Sequence, residues 1–254
     1  MPEMGLGLMK SPLMDGSLLM GARNEHYSRL VRNTRRASLV GYWPLFDPSG
    51  SVAVDYSGQT GRNGAYSGVT FGQVGIGDGH QCPLFATSYV NVYSAALNTA
   101  FPRAAGTIQA WAKVLNAGVW TDGLQHRIVD FGIDTNNFVL VRLTSGANQI
   151  GCQYKANGAT TETINTTAYA LTTWLHVGVT WDTVADQLKF YVNGVLIATN
   201  TTIGGALTGD LSSGIAVLGA GSITPTFPWS GYLAHAALWN AALSAGEIAR
   251  LARL

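Results

Sequence analysis

The stretch WDTVADQLKFYVNGVLIATN, residues 181–200, constrains the fold more than any other part of this chain. Leu188, Phe190 and Val192 alternate with Lys189 and Tyr191; after Asn193-Gly194 the alternation resumes as Val195, Ile197 and Thr199. Asn-Gly between two alternating runs is the strongest short-range hairpin signal, because a two-residue type I′ turn needs φ > 0 at both central positions. Pairing across that turn sets Val192 opposite Val195, Phe190 opposite Ile197 and Leu188 opposite Thr199, all on one apolar face. The other face carries Lys189, Tyr191 and Leu196. One apolar and one mixed face predict antiparallel sheet.

Similar segments recur from Gly41 onward. YVNVY (89–93), TIQAWAKV (107–114), RIVDFGI (127–133), NFVLVRL (137–143), QIGCQYK (149–155), WLHVGVTWD (174–182), GIAVLGA (214–220) and GYLAHAALWN (231–240) all read as strands. β-Branched and aromatic residues dominate them, and turn signals separate them. That spacing predicts an all-β sandwich or jelly roll. Near the C-terminus, Ser244 and Glu247 form an S-x-x-E capping box, which predicts a short helix with Ile248 and Leu251 on one face.

Composition narrows the partners. Charged residues make up 11% of the 254, against about a quarter in an ordinary globular chain, and the net charge is +1. No nucleic-acid partner is expected from that balance. No apolar run approaches the roughly 20 residues of a membrane-spanning helix, so no membrane partner is expected. Lys10, Pro12 and Asp15 break every early apolar run before a signal-peptide core can form. Cys82 and Cys152 are too few for a disulfide framework and are expected to be buried free thiols.

Residues 1–38 differ from the remainder. All five methionines fall here, and six basic residues stand against three acidic up to position 40, compared with nine against eleven afterwards. A disordered tail should be poor in apolar residues, whereas this one is rich in them. The segment is therefore read as an extended attachment arm, with 39–254 as the folded domain. Its expected partner contacts are Met4, Leu8, Met9, Leu13, Met14, Leu18, Leu19 and Met20, followed by Arg29, Arg32, Arg35 and Arg36.

Four segments, in this order, resemble a known family. They are LVGYWPLFDPSGSVAVDYSGQTGRNGAYSGVTFGQVG, SYVNVYSAALNTAFPRAAGTIQAWAKV, TTWLHVGVTWDTVADQLKFYVNGVLIAT and SGYLAHAALWNAALSAGEIARL. Together they are similar to the laminin-G-like, concanavalin-A-like jelly roll, over about residues 39–254. The resemblance implies two packed antiparallel sheets of about six or seven strands each. Many relatives carry an acidic pair in the last strand, where this chain has Ala234-His235. Some relatives bind Ca²⁺ at the sheet rim. Here only Asp78 and Asp182 could be nominated, and with no carboxylate cluster neither a metal nor any other cofactor is expected.

Glucanases of this fold place two carboxyl groups on one strand as E-x-D-x-E, flanking the bond to be cut. None of Glu3, Glu25, Glu162 or Glu247 has an acidic partner two residues away. His126 and Arg127 point to opposite faces of a strand read as lying at the surface, and His176 sits in an apolar strand as a core histidine would. Catalysis is not expected. Trp120 and Trp229 lie in Gly/Pro-rich loops, and Phe227 neighbours the second; an exposed aromatic there offers a flat face to a sugar or a protein groove. The expected function is a non-enzymatic virion structural protein. It would be a jelly roll displayed on a phage capsid or tail, assembled in the host cytoplasm, and joined to other virion proteins and to its own copies. Host-surface glycan is a further candidate ligand. The alternative is a secreted carbohydrate-binding module.

Overall fold

The computed structural model describes residues 26–165 and 171–254, and the side chains of 160–165 are outside that description. Residues 26–33 form a helix, α1. The strands then run β1 (Leu39–Trp43), β2 (Val52–Ala53), β3 (Gly64–Ser67), β4 (Thr70–Val74), β5 (Gln81–Phe85) and β6 (Tyr89–Asn91). A short helix α2 (Ala95–Ala100) precedes β7 (Ala105–Val114), β8 (His126–Asp134), β9 (Asn137–Leu143), β10 (Ile150–Ala156) and β11 (Ala159–Asn165). The chain finishes with β12 (Leu175–Asp182), β13 (Gln187–Val192), β14 (Val195–Asn200), β15 (Val217–Leu218), β16 (Gly231–Trp239) and α3 (Ala245–Leu251).

These strands form the expected two-sheet antiparallel jelly-roll sandwich. Among the described residues each sheet has eight strands, one or two more than the family resemblance implies. The first sheet runs β14-β13-β12-β7-β16-β5-β4, with β1 also paired to β16; the second runs β11-β10-β9-β8-β15-β6-β3-β2. Alternation divides the first sheet's side chains between two cores. Ile108, Ala110 and Ala112 of β7 and Val177, Val179 and Trp181 of β12 face the second sheet. Trp111 of β7, with Trp239 of β16, faces outward and is covered by Tyr27 and Val31 of α1 and by Ile248 and Leu251 of α3. The parity of β16 switches midway: Leu233, Ala236 and Leu238 face the sandwich core, while Ala234, Ala237 and Trp239 face the helices. A bulge at His235, whose φ is 53°, inserts the extra residue that makes the switch.

The hairpin turn has the predicted geometry, with Asn193 and Gly194 at φ 50° and 78°. The predicted register holds for Val192–Val195 and then shifts at a bulge between Phe190 and Tyr191. Phe190 therefore pairs with Ala198, and Leu188 with Asn200, instead of Ile197 and Thr199. Leu188, Phe190 and Val192 are buried as expected, whereas Val195 and Leu196 on the outer strand are exposed. Tyr191 is also buried, in the helix-covered core.

Residues 26–38, grouped with the arm on charge and composition, belong to the folded body. Tyr27, Leu30, Val31 and Thr34 recur at helical spacing and turn one stripe onto the sheet, which leaves Arg29, Arg35 and Arg36 exposed and Arg32 half-buried. The Trp239 indole N–H donates to the Thr34 carbonyl at 2.8 Å, and Arg35 pairs with Glu247 at 2.8 Å. The other arm contacts, Met4, Leu8, Met9, Leu13, Met14, Leu18, Leu19 and Met20, lie outside the described residues.

The capping box forms as predicted. Glu247 Oε2 accepts from the Ser244 N–H at 2.7 Å, and Ser244 Oγ accepts from the Glu247 N–H at 3.3 Å. Ser244→Ala is expected to cost about 1 kcal/mol, the usual loss of an N-cap. The check is a lower urea midpoint at unchanged m-value. No helix among the described residues is long and apolar enough to cross a membrane.

Candidate functional site

At one end of the sandwich, the loop entering β8 faces the loop entering β16. The two are stitched together at their bases. The Arg127 N–H donates to the Phe227 carbonyl at 2.9 Å. The buried His126 ring lies between the Pro228 carbonyl, 2.6 Å from Nδ1, and the Asp122 carboxylate, 2.8 Å from Nε2. Between the loops lies a groove of about 340 Å³ lined by Gly123, Leu124, Gln125, His126, Ser145, Phe227 and Pro228. Its walls are Leu124 and Phe227, 60% and 44% exposed. Phe227 holds a left-handed backbone at φ 49°, a conformation that costs a bulky residue of order 1–3 kcal/mol. Its ring lies 4.9 Å from the Arg127 guanidinium. Arg127 in turn pairs with buried Asp130, whose carboxyl is pushed up to about 7 by burial against the downward pull of that arginine.

Of the three loop aromatics expected at a binding surface, only Phe227 is exposed. Trp120 and Trp229 are 3% and 1% exposed and belong to the sandwich core. Each indole N–H finds a nearby carbonyl, that of Leu171 at 3.0 Å and that of Tyr232 at 3.3 Å, so each ring folds inward without stranding its donor. The strand carrying His126 was expected at the surface. It is instead interior to the second sheet, between β9 and β15, and His126 is buried. Leu124, Gln125 and Ser145 carry no alternation or motif; their only sequence signal is an apolar residue after Asp-Gly in a loop.

The two nominated metal positions lie in different surroundings. Asp182 caps the β12–β13 turn, accepting from the N–H groups of Val184 and Ala185. Asp78 is buried and accepts from His235 Nε2 at 2.9 Å and from the His80 N–H at 3.1 Å. Burial raises the Asp78 carboxyl, but the His235 bond and charge outweigh it and hold the group below the usual carboxylate range. Among the described residues, no three His, Cys, Asp or Glu side chains cluster as a metal ion would require. Cys82 and Cys152 are both buried free thiols, as expected, and burial pushes Cys82 up to about 12.

The helix-covered face of the first sheet holds a second group of polar side chains. His176 is a fully buried core histidine, as expected, with Nε2 2.6 Å from Gln109 Oε1. Gln109 Nε2 donates to the His235 carbonyl at 2.6 Å, and the Trp111 indole N–H donates to the Tyr27 hydroxyl at 2.7 Å. A cavity of about 460 Å³ reaches this layer from the side, lined among the described residues by His26, Tyr27, Gly77, Asp78 and Leu254.

Residues 86–249 match the model of the concanavalin A-like lectin/glucanase superfamily. No curated protein matches the chain in sequence. Solved structures share the fold at low identity. Domain 4 of the extracellular arabinanase AbnA from Geobacillus stearothermophilus, in complex with arabinotriose, is 15% identical at TM-score 0.59, over 85% of this chain and 98% of that one. The binding domain of Paraclostridial Mosquitocidal Protein 1 is 15% identical at TM-score 0.61, over 85% of this chain and 52% of that one. The binding domain of Botulinum neurotoxin DC, in complex with rat synaptotagmin II, is 16% identical at TM-score 0.56, over 85% and 51%. The chain thus spans about half the length of the toxin binding domains.

Proposed function

The chain belongs to the concanavalin A-like lectin/glucanase superfamily, and from that premise we propose that it is a non-enzymatic, lectin-like binding module whose ligand sits in the groove at Phe227. The carrying observation is Phe227 itself. A ring kept outward on strained backbone, beside a preformed groove, is better explained by a contact it makes than by the packing it forgoes. The ring would stack on a sugar face, while Gln125 and Ser145 supply polar groups at the rim. Strand ends and loops of a rigid sandwich are where such sites are commonly carried.

A binding role without catalysis also suits the buried carboxylates. Asp78 is held by His235 and Asp130 by Arg127, and neither lines the groove. Of the two functions expected from the sequence, the binding module is favoured by the compared structures, which are binding domains or a domain of an enzyme in complex with a saccharide. Attachment of this module to a virion is a separate proposal that rests on the composition of the leader alone.

The test is a glycan array with the full chain and with Phe227→Ala. The wild type should bind a saccharide, and the variant should bind it at least tenfold more weakly, equivalent to about 1.4 kcal/mol. Its circular dichroism and melting temperature should be unchanged, because Phe227 lies outside both cores. Equal binding by the two proteins, or no glycan bound by either, would sink the reading.

A further inference from the structure

Beneath α1 lies a chain of hydrogen bonds whose direction is fixed at one end. The Asp78 carboxylate can only accept, so His235 Nε2 donates to it. In the neutral ring Nδ1 then accepts from the Tyr42 hydroxyl at 2.7 Å, and Tyr42 in turn accepts from Ser28 of α1 at 3.1 Å. His176 is fixed in the same way. The Gln109 amide is oriented by its donation to the His235 carbonyl, so its oxygen faces His176 and must receive the Nε2 proton. His176 Nδ1 is left buried, deprotonated and without a hydrogen-bond partner. Tyr27 of α1 closes this layer. Its hydroxyl accepts a hydrogen bond from the Trp111 indole N–H and donates to the Leu251 carbonyl of α3 at 2.7 Å.

We propose that α1 is an acid-released cap. Protonation of His176 would lift α1 and Tyr27 from the first sheet while the two-sheet core stays folded. A proton on Nδ1 has no acceptor in the closed layer, and a charge there has no carboxylate in contact with it. Among the described residues, the titratable or charged groups facing the layer are Tyr27 and Arg32 from α1, Tyr42 from β1, Tyr56 from the loop after β2, Asp78 and His80 from the 75–80 loop, Cys82 from β5, Tyr191 from β13, and Tyr232 and His235 from β16. Strand β7 brings neutral Gln109 and Trp111 together with Lys113, whose ammonium lies over the Tyr232 ring at the layer's edge, and α3 brings the Leu251 carbonyl. Asp78 is the one carboxylate of this set, and it is bonded to His235.

Opening α1 would expose the layer beneath it to water, and the 460 Å³ cavity borders that layer at Tyr27 and Asp78. The release is local because both histidines lie in the helix-covered layer, whereas the sandwich core is a separate apolar cluster. Burial holds His176 down to about 3 and also lowers His235, where Asp78 opposes it. The sign follows from the lowered value. The closed form refuses a proton that the open form accepts, so closure is fully favoured above the ordinary histidine range and weakens as pH falls below about 6.5. One such group shifts the closed-to-open ratio about tenfold per pH unit, or roughly 100-fold at pH 4.5.

Hydrogen exchange on the full chain, corrected for intrinsic rates, reads this directly. Amides of residues 27–34 should lose about tenfold protection per unit between pH 6.5 and 4.5, while those of β8, β9 and β10 keep theirs. His176→Gln retains an N–H for Gln109 and cannot titrate, so its α1 protection should fall less steeply than that of the wild type over the same range, with His235 still titrating in the layer. If that variant does not fold, histidine ¹H–¹³C spectra of the wild type decide: His176 should gain its proton only as α1 loses protection. Constant α1 protection down to pH 4.5, joint loss in α1 and β8–β10, a His176→Gln variant as pH-dependent as the wild type, or a protonated His176 under a protected α1 would each overturn the proposal.

Discussion

Trp181→Ala should lower stability by about 3–5 kcal/mol, the range for emptying a buried tryptophan site, and should drop the melting temperature by roughly 10 °C in a chain of this size. The indole is fully buried on the inward face of β12, with its N–H donating to the Pro102 carbonyl at 3.2 Å. It also meets Tyr154 of the opposite sheet, at a ring separation of 6.2 Å, so its loss opens the contact between the sheets. The cross-strand partner is Gly106, where an added Cβ would stand 2.3 Å from the indole. Gly106→Ala alone should therefore cost about 1–3 kcal/mol by overpacking. Placed in the Trp181→Ala background, the same methyl should instead recover stability by filling part of the vacated space. Urea titrations of the four proteins give the coupling. Additive losses would show that ring and glycine do not share this space.

Gly231→Ala is expected to cost about 3 kcal/mol, at the upper end for an added methyl group. Gly231 opens β16 at φ 151°, paired on one side with Val114 and on the other with Phe85. A Cβ there would stand 2.1 Å from the Lys113 carbonyl oxygen and 2.8 Å from Val114 Cα. Both are backbone atoms of a central strand, so no side-chain rotation relieves the clash. The strand ends must separate, and the groove floor moves with them because Trp229 and Pro228 lie just upstream. A urea midpoint within experimental error of wild type would refute the steric argument.

Much of this architecture is legible in the sequence because it is written in short-range chemistry. Asn193-Gly194 demands its turn, alternation marks β7 to β10, β12 and β13, and Ser244 with Glu247 announces α3. What escapes is decided by single backbone defects or by distant carbonyls. The bulge at Phe190–Tyr191 moves the hairpin pairing by one residue, and nothing in LKFYV signals it. His235 reverses the facing of half a strand from a left-handed position that its sequence does not advertise. Trp120 and Trp229 sit in loops that look exposed, yet their burial depends on the Leu171 and Tyr232 carbonyls lying within reach. The helix at 26–33 was legible in principle, since Tyr27, Leu30, Val31 and Thr34 keep helical spacing; the surrounding arginines and the methionine-rich leader obscured it. In the groove, Phe227 stands out in the sequence, whereas Leu124, Gln125 and Ser145 become a site only once two loops meet.

The position of β16 has a consequence for how the molecule comes into being. This strand is last in sequence among the described strands, yet it sits at the middle of its sheet, bonded to β7 on one side and to β1 and β5 on the other. A growing polypeptide must therefore keep this edge of β7 and its large apolar surface waiting until β16 has been synthesised. Contacts spanning so much sequence make assembly slow and leave unfinished chains prone to stick to one another. Fragments that stop short of β16 should accumulate as aggregates rather than as smaller folded bodies.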